Sequence, residues 1–176
     1  LDNDTILATS IANSGKIVLP MFFVIGKPLT EEKTDLSELL SSSTLTNIDD
    51  TFINATKKNY IEGYSPVLPF KLFADAASGI GHSNLLTDKD GVVRKETLCI
   101  YANGNYYPSF SLQLICKYLN LPLKDFRVTL GRNISFGNIT VPTNNDMTMF
   151  IDYAGKANTY QYFSVFDVLS DKIPME

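Results

Sequence analysis

The chain has 176 residues, 44% of them hydrophobic, and its 15 basic and 19 acidic side chains give a formal charge of −4. That length suits one domain able to bury about 70% of its unfolded surface without a covalent or metal staple. The longest apolar runs (17–19 and 21–25) fall far short of the ~20 residues a bilayer crossing needs, and the cations form neither a phosphate-tracking patch nor a basic amphipathic stretch, so a membrane span, a nucleic-acid partner and a membrane-surface anchor are all excluded for the chain as given.

Residues 2–15 predict a short helix, with an acidic start able to cap it, apolar residues at helical spacing and Gly15 as its stop. Residues 16–24, rich in Ile, Val and Phe but interrupted by Pro20, predict a strand. From 26 to 64 the pattern weakens into a long surface excursion, with one helix expected around 35–40. Residues 70–77 predict a helix stopped at Gly79. Strands at 80–86 and 92–101 then flank Asp88-Lys89-Asp90-Gly91, whose Asp-Gly pair supplies the positive φ of a tight hairpin. Asn103-Gly104-Asn105 is a second turn of the same kind. Pro108 opens a helix, capped by Ser109 or by the preceding turn, that runs to Leu119 and is ended by Leu121-Pro122. Short strands follow at 127–130, 134–136, 139–141 and 149–153, then an amphipathic turn or helix at 164–169. The order predicts one α/β domain, a mixed β-sheet flanked by helices with a β-hairpin near 80–101.

Few residues offer chemistry. Cys99 and Cys116 both lie in apolar surroundings; a bridge between them is permitted but not demanded, and two cysteines with one histidine are too few for a comfortable metal site, so no metal and no cofactor are expected. Four Asn-x-Ser/Thr sequons, at Asn3, Asn54, Asn133 and Asn138, would matter only in a eukaryotic source. The densest polar stretch is Gly79 to Asn84 followed by Asp88 to Arg94. His82 is the only histidine, so any histidine-dependent acid–base or nucleophilic scheme must use it. One reading places His82, Ser83 and Asn84 at the rim of a pocket with Asp88, Asp90 or Arg94 nearby, where the Arg94 fork could hold an anion. The other makes the stretch a glycine-eased strand edge and a hairpin, with Arg94 pairing Asp88, Asp90 or Glu96. Asp88-x-Asp90-Gly91 opens like a calcium loop, but Cys99 stands where the closing glutamate belongs. Gly79-x-Gly81 lacks the rest of a dinucleotide fingerprint. Tyr107, with Tyr106, Tyr101 and Phe110, lines either a ligand surface or the core, and the aromatic group from Tyr153 to Phe166 suits an interface.

Taken in order, several segments carry a family resemblance: Asp4 to Ala8 with Ile11 and Gly15 to Pro20, Pro69 with Phe73-Ala74-Asp75-Ala76-Ala77, Gly81-His82-Ser83-Asn84, Asp88 to Arg94 with Leu98, Tyr107-Pro108-Ser109-Phe110-Ser111-Leu112, Met149 to Gly155, and Phe163-Ser164 to Val168-Leu169. Together they resemble a CHASE2 domain, the extracytoplasmic sensor that precedes bacterial adenylate cyclases, histidine kinases and serine/threonine kinases. The resemblance implies a periplasmic or extracellular domain, anchored by flanking transmembrane helices that are not in this chain and coupled to a cyclase or kinase output. It implies a small-molecule or ionic signal and admits a homodimer. The family pattern starts earlier, with a Trp-Pro-Trp-like stretch, and continues past Glu176 into a Gly-rich strand, so the resemblance implies truncation at both ends. On this reading the domain is not itself an enzyme, and the candidate ligand-binding residues are His82, Asn84, Asp88, Asp90, Arg94 and Tyr107. Two alternatives stand beside it: a small α/β hydrolase-like enzyme using His82 with Ser83 or Ser109, and a dimerisation module that binds no ligand.

Overall fold

The computed structural model describes residues 2–26, 40, 42–51, 60–156 and 158–173. Helix α1 (Asn3–Ser14) forms as predicted: the Asp2 carboxylate accepts the Thr5 N–H at 2.7 Å, and Gly15 closes the helix at a left-handed φ of 61°. Both ends thereby satisfy backbone groups that a bare terminus would leave unpaired. The following strand, β1 (Val18–Ile25), lies between two others although it contains Pro20, which has no N–H to give a ladder. Its register resolves the conflict. Pro20 stands opposite Gly81 of β4 (Gly79–His82), whereas pairing with β3 (Ile61–Val67) on the other side begins only at Phe22.

The expected helix at 35–40 lies, apart from Leu40, outside the described residues. Two strands in and after the excursion were not anticipated, β2 (Asn47–Asp49) and β3. Helix α2 (Lys71–Ala76) ends just before β4 and packs beside α1.

The strands form three sheets where one was expected, and the 80–101 hairpin is divided between two of them. Each of its long arms breaks in two. Residues 80–86 divide into β4 and β5 (Leu85–Leu86), and 92–101 divide into β6 (Lys95–Thr97) and β7 (Cys99–Ala102). On the first arm the break is made by Asn84, whose Oδ1 accepts the Phe23 N–H at 2.9 Å while its Nδ2 donates to the Phe23 carbonyl at 2.7 Å. The carboxamide thus takes the place of a strand beside β1. On the second arm Leu98 turns its N–H to the Met147 carbonyl and its own carbonyl to Ser109. The hairpin persists as β5 against β6, with Leu85 opposite Glu96.

The first sheet has the order β4-β1-β3-β7-β8, where β8 is Asn105–Pro108; β1 runs parallel to β4 and β3 parallel to β7, and the other pairs are antiparallel. Asn103 and Gly104 join β7 to β8 at φ of 47° and 84°, the paired positive values of a two-residue hairpin. The second sheet is a meander of β9 (Arg127–Thr129), β10 (Asn133–Phe136) and β11 (Ile139–Pro142), extended by β2 lying parallel on β9. The third sets β12 (Thr148–Phe150) against β6 and β5.

Helix α3 (Phe110–Leu119) knits the first two sheets together. Ser109 caps it by accepting the Leu112 N–H, and Asn120 ends it at a φ of 54°, two residues before the proline expected to stop it. Leu112 and Cys116, one turn apart, enter a core with Phe126, Val128, Ile134 and Phe136, where the Phe126 and Phe136 rings stack at 4.4 Å. A second core of Met21, Phe23, Ile80, Ile100 and Tyr107 fills the space under the first sheet. After β12 the chain runs as an exposed arm to the short helix α4 (Val165–Leu169), capped by Ser164.

Candidate functional site

The six residues singled out by sequence fall into two separate places. Asp88, Asp90 and Arg94 meet on the surface: one Arg94 nitrogen lies 2.9 Å from Asp88 and the other 2.8 Å from Asp90. Gly91 at a φ of 82° closes the turn beneath them. Hydrogen bonding from Arg94 holds the Asp90 carboxyl below its ordinary range, and the two carboxylates hold the guanidinium protonated. All three side chains are solvent-exposed, so the cluster fixes the turn more than it stabilises the fold. Asn84 is occupied on both carboxamide atoms by Phe23.

His82 and Tyr107 lie inside, each 1% exposed, with ring centroids 6.4 and 5.2 Å from that of Phe23. Neither imidazole nitrogen has a hydrogen-bond partner among the described residues, and burial pushes the His82 pKa down to about 3. It is therefore neutral at any physiological pH. Ser109 pairs with His82 through a single backbone bridge, but its hydroxyl accepts the α3 capping bond and makes no bond to the imidazole. Ser83 directs its hydroxyl toward the Met21 carbonyl. The nucleophile and base of a hydrolase are thus not joined here.

Cys99 and Cys116 are both free and buried, and desolvation raises their pKa values to about 12 and about 11. Among the described residues no three His, Cys, Asp or Glu side chains converge as a metal site would require.

A cavity of about 240 Å³ opens elsewhere, between the end of α2, the start of β4 and the C-terminal half of α3, and none of the six residues lines it. Its geometry follows from two glycines. A Cβ at Gly81 would stand 2.7 Å from the Phe110 Cα, and one at Gly79 would stand 2.7 Å from Gln113 Oε1, so only glycine lets α3 press this closely on β4. Gln113 is 2% exposed, and its Nε2 donates to the Ile80 carbonyl at 2.8 Å. Its Oε1 accepts no hydrogen bond among the described residues. One turn further, Lys117 extends over Gly79 on the cavity wall, without an ion pair among the described residues. Ser43, buried at 3%, brings a hydroxyl to the opposite side, and Ala74, Ile80 and Leu121 add apolar surface.

In the sequence Gln113 and Lys117 are only two positions within a predicted helix. The signal available was a glutamine set among Leu112 and Cys116 on the apolar face of α3, where a buried amide needs partners on both its atoms.

The described residues thus make a mixed α/β fold with a cavity beside α3 and the lone histidine sealed in the core. Comparison with known families gives it a place: the CHASE2 domain profile matches residues 2–176, and the chain belongs to the CHASE2 family. No curated protein matches it significantly, and no solved structure does. CHASE2 domains are extracytoplasmic sensor domains without catalysis of their own, which makes this chain a sensor domain of signal transduction. No helix among the described residues is long and apolar enough to cross a membrane.

Proposed function

We propose that residues 2–176 form one sensory domain of a transmembrane receptor, held by membrane helices that flank it, receiving a small-molecule or ionic signal and passing it to a nucleotide cyclase or a kinase across the membrane. The observation that carries this reading is the family match along nearly the whole chain. The exposed arm after β12 supports it. Tyr160, Tyr162, Phe166 and Leu169 are between 67% and 80% exposed, more apolar surface than a free-standing segment keeps in water, which suits packing against a second copy in a homodimer or against the rest of the receptor. A cavity of about 240 Å³, enough for a small metabolite, supports the receiving role.

The test uses the full-length protein and reads nucleotide cyclisation and phosphoryl transfer. Gly81→Ala, which drives a methyl group into the α3 backbone, disrupts the domain without touching the output. A several-fold change in output rate, up or down, is expected. An output indifferent to a disrupted domain overturns the sensory role.

A further inference from the structure

We infer that the cavity between β4 and α3 binds a small aliphatic monocarboxylate carrying a hydroxyl or amide N–H; the inference rests on the sensory reading for its purpose and on the cavity's own chemistry for the ligand class. Charge decides first. Among the described residues no acidic side chain lines this space, and the charged one that does is Lys117, an ammonium without an ion pair among them. Lys117 stands in the last turn of α3, where a cation also answers the helix dipole. That role needs only the charge near the helix end, whereas the side chain leans across Gly79, with its Cε 3.6 Å from the space a methyl there would fill.

The polar atoms decide next. Gln113 is held by its Nε2 bond to Ile80, which fixes the carboxamide and leaves Oε1 as a preset acceptor. This oxygen borders the open cavity beside Gly79, where a ligand hydroxyl or N–H can donate to it. Ser43 also lines the cavity, and its hydroxyl, without a partner among the described residues, can donate to a carboxylate. Ser78 is not available to donate, because its hydroxyl is committed to the Ile17 carbonyl at 2.9 Å.

Size and apolar surface decide last. A cavity of about 240 Å³ lies below the range of drug-sized pockets, so the ligand is a small metabolite. Ala74, Ala77, Ile80, Cys116 and Leu121 suit a short hydrocarbon chain. A phosphate dianion fits worse, since it is usually met by arginine forks or several cations, and this wall offers one ammonium.

Calorimetric titration of the chain with butyrate, 3-hydroxybutyrate, 1-butanol and inorganic phosphate tests the assignment. The hydroxylated carboxylate should bind most tightly, butyrate less tightly, and the alcohol and phosphate least. Lys117→Met should weaken carboxylate binding about fivefold or more, Lys117→Arg should restore most of it, and Lys89→Met, on the exposed hairpin turn, should leave it unchanged. Circular dichroism confirms that each variant is folded. Equal binding of carboxylate and alcohol, equal binding to wild type and Lys117→Met, or no carboxylate binding at millimolar concentration would overturn the inference. These outcomes leave the sensory role untouched, because the output response to domain disruption does not depend on which ligand the cavity takes.

Discussion

Gly81→Ala is expected to cost 3 kcal/mol or more of the stability of this domain, about the upper end of overpacking penalties. The added Cβ would meet the Phe110 Cα at 2.7 Å, the Phe110 nitrogen at 2.8 Å and the Ser109 carbonyl oxygen at 2.8 Å. All three are main-chain atoms at the start of α3, so no rotamer change can relieve the contact, and the helix must move away from β4. That movement also carries Gln113 off the Ile80 carbonyl and loosens the wall of the cavity. Urea unfolding of wild type and variant measures it, and a midpoint unchanged by the substitution would show that α3 does not pack on β4 as described. Total stabilities of single domains run to about 5–15 kcal/mol, so one methyl group removes a large share.

The second large effect is acid sensitivity. In the unfolded chain His82 titrates at the ordinary histidine value of 6.5, and in the folded domain burial lowers this to about 3. Between those values the unfolded state binds a proton that the folded state refuses. The stability owed to neutral His82 is therefore complete above pH 6.5 and is lost progressively as pH falls toward 3, at about 1.4 kcal/mol per pH unit and roughly 5 kcal/mol in all. His82→Leu removes this titration. The variant's unfolding free energy, measured from pH 7 to pH 4, should fall by one proton's slope less than that of wild type. Parallel curves would mean that the imidazole is solvated or partnered in the folded state. Asp49, which Thr51 and Arg127 lower to about 2, titrates in a more acidic window and does not confuse the reading.

Much of this fold was legible in the sequence, because local signals and tertiary demands agree there. Asp2 and Gly15 at the ends of α1, Ser109 at the start of α3 and Asn103-Gly104 between β7 and β8 all do what their side chains or backbone freedom favour. The failures have particular causes. β3 was unread because Gly63, Ser65 and Pro66 interrupt it, with Ser65 at a φ of 39°, and its place is set by β1 and β7 on either side. The division of the hairpin between two sheets depends on Asn84 reaching Phe23 from 61 residues away, and no local pattern encodes that contact. The site was less legible. Motif reasoning drew attention to Asp88, Asp90 and Arg94, whose density of charge turns out to be one ion-paired turn, and to His82, which is buried. The cavity is assembled from two serines before β2, the end of α2, Gly79 and one face of α3, residues that carry no signature until the chain is folded.

Surface labelling of the full-length protein in intact cells tests the extracytoplasmic assignment most directly. Tyr118 on α3 is 89% exposed, whereas Cys99 and Cys116 are 0% and 4% exposed, so Tyr118→Cys introduces one reactive thiol over a silent background of native cysteines. A membrane-impermeant maleimide should modify this variant before lysis, and the wild-type domain should stay unmodified. Modification of Tyr118→Cys only after lysis would place the domain inside the cell and contradict its role as an extracytoplasmic sensor.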